Sequence, residues 1–264
     1  MGYFSGPKPR KFGHRGAAGL APENTMPSFR QALADGADIL ELDVHATRDG
    51  AIVVIHDDTV DRTTDGRGEV RGLELAALQR LDAGYHFEAN GRHPFRGCGV
   101  RIPTLREVML ALPEVALNVE VKQLDPPIER EVRALLDELG RVDDVVLAAE
   151  HDEVMKRLHA AAPGSWFSFS SVEAMEIWQR LQANDFAGYR PPGHALQIPP
   201  RFGSVEVVTA ESVAAVHALG VELHVWTIND EPEMERLLDL GVDGVMSDYP
   251  GKLRDVVRRR AASS

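Results

Sequence analysis

The stretch 39–57, ILELDVHATRDGAIVVIHD, places the carboxylates of Glu41 and Asp43 and the imidazoles of His45 and His56 close together beside apolar residues. Ile39, Leu40, Leu42 and Val44 read as a strand. Glu41 and Asp43, two apart, then project from the same face. At roughly 6–7 Å between their backbone positions, their carboxylates can share one cation. The surrounding GADILELDV is too apolar for an exposed edge, and buried charge needs a partner or a metal. Thr47-Arg48-Asp49-Gly50 marks a reversal, and 51–56 then forms a second strand ending at His56-Asp57. His45 is expected to turn away from Asp43, as a packing residue or a supporting donor.

The same spacing recurs in NVEVKQ, where Glu120 and Lys122 lie two apart. Glu41, Asp43 and Glu120 form an oxygen-rich cage. Such a cage suits one divalent cation, Mg²⁺ or Ca²⁺, better than Zn²⁺. Lys122 beside it, with Arg15 from the segment HRG, points to a phosphate group whose charge the metal and the two bases would offset. His14 and His56 then supply proton transfer, one activating the nucleophile and the other protonating a leaving alkoxide. Trp226, ending VELHVWT, either walls a pocket or fills barrel core. Asp248 in DYPG sits near the metal or caps the last helix, and His224 is a candidate for the barrel interior. His86, His93 and His194 fall in loops, while His151, His159 and His217 accompany helices as surface or capping groups.

The chain of 264 residues carries 41 acids against 29 bases, a formal charge of −12. That argues against a nucleic-acid surface and against adsorption to anionic membrane, while leaving room for a local cationic pocket. Cys98 is the only cysteine, which excludes an intrachain disulfide and a thiolate metal cluster. Its neighbours in FRGCGV offer no activation, so it reads as a bystander. The opening residues contain no apolar core of signal-peptide length. No run approaches the ~18 apolar residues of a membrane span, so the cytoplasm is the default expectation. No helical surface carries a distinctive seam, and the pattern sets no oligomeric state.

These side chains must be positioned by a fold. Strands are expected at 11–14, 39–44, 115–121, 143–148, 165–169, 195–198, 221–227 and 243–247. Helices are expected between most of them: 26–34, 104–112, 127–139, 152–161, 171–182, 210–219, 231–239 and 251–260. Eight strands alternating with helices imply a (β/α)8 TIM barrel. An open doubly wound sheet is the alternative, but HRGAAG is not its GxGxxG turn. The link between 39–44 and 51–56 is too short for a parallel crossover, which needs about a dozen residues. The 51–56 strand must therefore be an antiparallel hairpin partner, and a hairpin projecting past the rim brings His56 over the acids. Residues 58–102, rich in Gly, Arg and Asp with one short helix near 75–81, read as an insertion after the second main strand. The whole chain, 1–264, is expected to be one barrel domain.

The chain resembles the glycerophosphodiester phosphodiesterase family. The resemblance rests on GHRG (13–16), PENT (22–25), GADILELDV (36–44), TRDGAIVVIHD (47–57), RTTDGRG (62–68), RIPTL (101–105), NVEVK (118–122), VWTIN (225–229) and GVDGVMSDYP (241–250), in family order across nearly the whole chain. It implies a TIM-barrel, metal-dependent phosphodiester hydrolase. His14 and His56 would be the general acid/base pair and Glu41, Asp43 and Glu120 the metal ligands. Arg15 and Lys122 would contact phosphate, Trp226 would line the substrate cleft, and Glu23 and Asn24 of PENT would support the first strand's active end. The products would be sn-glycerol 3-phosphate and an alcohol, formed through attack by the glycerol 2-hydroxyl and opening of a cyclic phosphate by water. LAAEHD (147–152) departs from the Ser-Phe pair the family often places at the end of the fourth main strand, which bears on the headgroup end of the pocket. Relatives with this architecture also hydrolyse lysophospholipids in the manner of a phospholipase D. Tyr85, Phe87 and Phe95 of the insertion would shelter a lipid chain or simply anchor the insertion. A metal-dependent amidohydrolase on the same barrel would need an HxH pair that HRG lacks. A non-catalytic binding barrel has no reason to carry both histidines and all three acids.

Overall fold

The computed structural model describes residues 2–263. Eight parallel strands form the barrel, and in chain order the strands are β1 (Arg10–Gly13), β2 (Ile39–Ala46), β3 (Ile52–Val54), β4 (Ala116–Val121), β5 (Val145–Ala148), β6 (Trp166–Phe167), β7 (Ala195–Ile198), β8 (Arg201–Phe202), β9 (Val205–Glu206), β10 (Glu222–Val225) and β11 (Gly244–Ser247). The sheet runs β6-β5-β4-β2-β1-β11-β10-β7. Its two ends meet where His194 N donates to Phe167 O at 2.8 Å. The helices are α1 (Met26–Ala34), α2 (Leu75–Leu78), α3 (Leu105–Ala111), α4 (Glu129–Leu139), α5 (Asp152–Ala161), α6 (Ser171–Ala183), α7 (Ala210–Ala218), α8 (Glu231–Leu240) and α9 (Pro250–Ser263). Among the described residues no helix is long and apolar enough to cross a membrane.

Strand parity sorts the side chains. Leu40, Leu42, Val44, Leu117 and Val119 point outward and pack under helices with Phe29, Val108 and Leu136. Tyr3, Phe12, Ile39, Val146 and Met246 form a separate cluster inside the barrel. Below the cavity Arg10, 1 % exposed, is forked onto Glu222 at 2.7 and 2.8 Å. Glu222 also meets His224 Nε2 at 3.0 Å. His224 is therefore an interior residue, but it belongs to the base of the barrel rather than to its mouth.

The hairpin expected after the second strand is present, and β2 runs two residues further than expected. Its end pairs antiparallel with β3 in the register Val44↔Val54, His45↔Val53 and Ala46↔Ile52, while 39–44 pair with β4. Pairing with β3 beyond β4 is what carries 52–56 past the rim. Residues 58–102 contain one 3₁₀ turn, Val70–Gly72, the short α2 and two isolated bridges, Thr59↔Glu69 and Ala89↔Arg92. They have their own small core of Val60, Val70, Leu78, Val100 and Ile102 against Val53 and Ile55 of the hairpin. Strand 165–169 shrinks to β6, because after Ser168, whose N–H still donates to Leu147 O at 3.0 Å, the chain turns into the capping box of α6. There Ser170 Oγ accepts from Glu173 N, and Glu173 returns a carboxylate oxygen to Ser170 N at 2.8 Å. The two-residue strands β8 and β9 were not foreseen. They flank Gly203 at φ +59 and are too short to produce a periodic pattern.

Candidate active site

The mouth of the barrel holds a cavity of about 550 Å³ lined by His14, Arg15, Glu41, Asp43, His56, Glu120, Lys122 and Trp226. Eight of the ten candidate residues thus meet in one space, and Glu23 and Asn24 stand immediately behind it.

The first arm is the turn after β1. A Cβ on Gly13 would lie 2.6 Å from Gly16 O and 2.7 Å from Ala32 Cβ, so only glycine lets the chain double back here. Arg15 is held in the left-handed region at φ +49. Its N–H donates to Glu41 Oε2 at 2.8 Å, and its carbonyl accepts from Asn24 N and from Ser28 Oγ, both at 3.0 Å. An uncommon backbone conformation fixed from several sides is typical of functional turns. It aims the guanidinium inward. Nη1 donates to Glu23 at 3.0 Å. Nε, buried without a hydrogen-bond partner, stands 3.4 Å from Asp43 Oδ2. A buried unpaired donor in a cavity is unusual, and an anion's oxygen would satisfy it. Asn24, 3 % exposed, brackets Asp43 by donating Nδ2 to Oδ2 at 2.9 Å and accepting the Asp43 N–H at 3.3 Å.

The second arm is the acid cluster. One oxygen each from Glu41, Asp43 and Glu120 lies within 4.8 Å of the others. Glu41 and Asp43 are 3 % and 1 % exposed. Burial and the adjacent Asp43 charge push the Glu41 carboxyl up to about 8. Glu120 is raised by burial, with Asp43 adding to this and Lys122 opposing it. Burial works against Asp43 as well, but Lys122 and Arg15 hold it below the usual carboxylate range. Three crowded carboxylates, of which Glu41 and Glu120 resist ionisation, offer only hard oxygen donors and fit a divalent cation. Lys122 Nζ lies 2.7 Å from Glu120 Oε1 and 3.5 Å from Asp43 Oδ1.

The third arm is the pair of imidazoles. His14 Nδ1 meets Asp248 Oδ1 at 2.7 Å, and His56 Nδ1 meets Asp57 Oδ1 at 2.7 Å. An ionised carboxylate only accepts, so each Nδ1 carries a proton, and in the neutral tautomer it is Nε2 that keeps the lone pair. Burial would lower the pKa of His14, but the Asp248 hydrogen bond and the Glu41 charge reverse this and leave it raised. Asp248 thus backs His14 from the loop after β11 rather than only capping α9. The sequence offered a place near the metal or a helix cap; the partner found, His14, was not foreseen, since 234 residues separate the two.

Other readings change. His45 shares the parity of Glu41 and Asp43 and lies on their side of β2, not the opposite one. It is buried with Nε2 3.1 Å from the His56 carbonyl, which makes it a supporting donor. Phe87 packs edge-to-face on Phe95 at 5.3 Å, and Arg96 lies over Tyr85 at 4.3 Å. None of these lines the cavity, so the insertion's aromatics anchor the insertion. The apolar wall comes from elsewhere: Met175, Trp178 and Leu181 of α6, with Pro199, Phe202 and Val205 around the β8–β9 hairpin. A Ser-Phe pair, Ser168-Phe169, does follow the next strand, β6, and lines the same cavity. Trp226 is 42 % exposed and stands at the mouth as a wall, not as core. Cys98 is exposed and away from the cavity lining.

The family model for the glycerophosphoryl diester phosphodiesterase family matches residues 14–252. The chain belongs to that family. A glycerophosphodiester phosphodiesterase from Caldanaerobacter subterraneus subsp. tengcongensis is 33 % identical over 255 residues, covering 93 % of this chain and 96 % of its own length. The mouse lysophospholipase D GDPD1 is 28 % identical over 282 residues, covering 96 % and 87 %. Among solved structures, an Oleispira antarctica phosphodiesterase in complex with the product sn-glycerol-3-phosphate superposes with a TM-score of 0.76 at 28 % identity, covering 95 % of this chain and 97 % of that one. The chain is accordingly a phosphodiester hydrolase of this family, and its acidic cluster supports metal dependence.

Proposed function

We propose that the protein hydrolyses glycerophosphodiesters to sn-glycerol 3-phosphate and an alcohol, with His14 and His56 as the acid/base pair. The observation that carries this reading is the convergence, on one cavity, of three carboxylates able to share an ion with two imidazoles, each fixed by its own carboxylate. A divalent cation, Mg²⁺ or Ca²⁺, held by Glu41, Asp43 and Glu120 would polarise a phosphoryl oxygen and acidify the attacking hydroxyl. One imidazole Nε2 takes the proton of the glycerol 2-hydroxyl as its oxygen bonds to phosphorus. The other protonates the headgroup oxygen as the phosphorus–oxygen bond to it breaks. In the second half water opens the cyclic phosphate with the two roles exchanged. Arg15 Nε and Lys122 Nζ bind the non-bridging oxygens. Trp226 closes one side of the cleft.

The apolar wall from α6 and the β8–β9 hairpin favours a second substrate class on the same chemistry, lysophospholipids, whose single hydrocarbon chain it would cover. The family resemblance to a lysophospholipase D is compatible with it. The test is a metal-supplemented panel of glycerophosphocholine, glycerophosphoethanolamine and lysophosphatidylcholine, with H14A and H56A alongside the wild type. Soluble diesters cleaved quickly by the wild type, and not by either variant, support the first reading. Near-normal rates in a histidine variant overturn that residue's role, and a preference for the lipid selects the second substrate class.

A further inference from the structure

Behind the cavity the insertion reaches back into the machinery through one side chain. The loop that carries it is closed by its own hydrogen bonds. Val60 N donates to Gly68 O at 3.0 Å and Val70 N to Asp58 O at 2.8 Å. Thr64 Oγ1 donates to Val60 O at 2.8 Å, and Gly68 N to Asp61 Oδ1 at 2.8 Å. Val60 and Val70 are buried in the insertion's core. At the apex, Arg62 faces two carboxylates at once. Nε and Nη2 fork onto Asp57 at 2.7 and 3.0 Å. Nη1 and Nη2 fork onto Glu23 at 2.7 Å each.

Each of those carboxylates has a second task. Asp57 Oδ1 also accepts the Nδ1 proton of His56, and Glu23 Oε1 also accepts from Arg15 Nη1. We propose that Arg62 is a positioning residue for the reaction, and that the insertion's task is to deliver it. One planar guanidinium fixes the carboxylate that orients His56 and the carboxylate that aims Arg15. The proton-transfer side and the phosphate side are thereby locked in one relative geometry. The two forks demand arginine, because a lysine ammonium is a point charge with no planar donor array. Arg62 holds Asp57 down at about 2, with His56 assisting, so Asp57 stays an acceptor throughout the working range. Glu23, whose burial would raise it, is kept low by Arg62 and Arg15. Arg62 touches neither the acid cluster nor the cavity lining and acts only through its neighbours.

This inference rests on the roles proposed for His56 and Arg15, and the experiment separates the two levels. Steady-state kinetics with glycerophosphocholine at saturating metal are measured for R62A, for the double variant E23Q/D57N, and for the triple variant combining them. H56A and R15A are run alongside. Supporting groups of this kind are worth roughly 10–100-fold. R62A is expected to lose about that much in kcat/KM, with kcat falling through His56 and KM rising through Arg15. Adding R62A to E23Q/D57N is expected to cost less than threefold, because the contacts it serves are already altered. The same loss in both backgrounds, or an R62A enzyme within threefold of wild type, overturns the proposal. Should R62A be unfolded at the assay temperature, R62K carries the same comparison, and wild-type kinetics in R62K refute the need for the double fork. Near-normal H56A and R15A would instead remove the reading beneath it.

Discussion

Asp248 offers the sharpest test of how His14 is prepared, because its surroundings dictate what a substituted side chain must do. The Asp248 N–H donates to Asn229 Oδ1 at 2.9 Å, and Ser247 Oγ donates to the same oxygen at 3.1 Å. Asn229 is therefore fixed, and its Nδ2 donates to Asp248 Oδ2 at 2.6 Å. In D248N the amide oxygen has to take the Oδ2 place to accept from Asn229, which turns the new amide NH2 toward His14 Nδ1. That nitrogen must then accept, and the ring proton moves to Nε2, the atom facing the cavity. D248A instead leaves space in which solvent can meet Nδ1. Losing a charge-assisted hydrogen bond costs about 1.5–3 kcal/mol, roughly 10–150-fold in kcat/KM, and this is the expectation for D248A. The forced wrong tautomer in D248N is expected to cost more, toward the ~10⁴-fold seen when a triad aspartate becomes asparagine.

The assay is kcat/KM for glycerophosphocholine against pH at saturating metal. Asp248 helps to raise the pKa of His14, so its removal must lower that pKa and move the limb governed by His14 toward acid. If His14 is the base, the acid limb moves. If it is the acid, the alkaline limb moves, and the experiment also assigns the two roles. A D248N enzyme as active as D248A, or a profile in which neither limb moves, refutes the tautomer argument.

Chelation with EDTA is expected to abolish turnover and a divalent cation to restore it, and full activity in a metal-free sample would overturn the role of the acid cluster. K122A should weaken binding of glycerol 3-phosphate by at least tenfold and leave binding of uncharged glycerol unchanged, measured by calorimetry. Equal losses would take Lys122 out of the phosphate site. At the opposite end of the barrel, E222Q leaves Arg10 without its carboxylate, a loss of about 3 kcal/mol or roughly 6–12 °C in Tm, with kcat unchanged. Burial opposes ionisation of Glu222, but Arg10, His224 and Lys8 depress its pKa. The stability it supplies is therefore present above the unfolded carboxylate value near ~4.3 and fades as pH falls below it. The Tm gap between wild type and E222Q should accordingly narrow in acid, and a gap constant down to pH 3 would refute that pairing.

What was legible in the sequence follows from range. Glu41, Asp43, Glu120 and Lys122 announce themselves because strand parity operates over two residues, and eight strand–helix alternations announce the barrel. The reversal at 47–50 was legible because no crossover fits in so few residues. Contacts closed between distant loops left no local trace. Asp248 and His14 meet only because β1 and β11 are barrel neighbours in the register Gly13↔Ser247. Arg62 reaches Glu23 only because the insertion folds back on PENT. The conspicuous aromatics of the insertion left shelter and anchoring equally open, and they anchor, whereas the wall-forming Met175, Trp178 and Leu181 lie on a helix that also reads as ordinary packing. The error on His45 has a simpler source, since the alternation that aligned 41 with 43 applies equally to 45.

Charge explains why so acidic a chain can receive an anionic substrate. Around the reacting position stand Glu41, Asp43 and Glu120, opposed by Arg15 and Lys122. With every carboxylate ionised the group carries one net negative charge, which would repel a phosphodiester, and the raised Glu41 carboxyl registers that crowding. A divalent cation in the cage would turn the balance to one net positive charge, the complement of a phosphodiester monoanion. Binding of substrate and binding of metal should therefore be linked, each tightening the other by the same factor. Titrating a substrate analogue such as glycerol 3-phosphate with and without metal, and the metal with and without the analogue, measures the two factors separately. Affinity for the analogue that is indifferent to the metal would mean that Arg15 and Lys122 bind phosphate at a place the acid cluster does not reach.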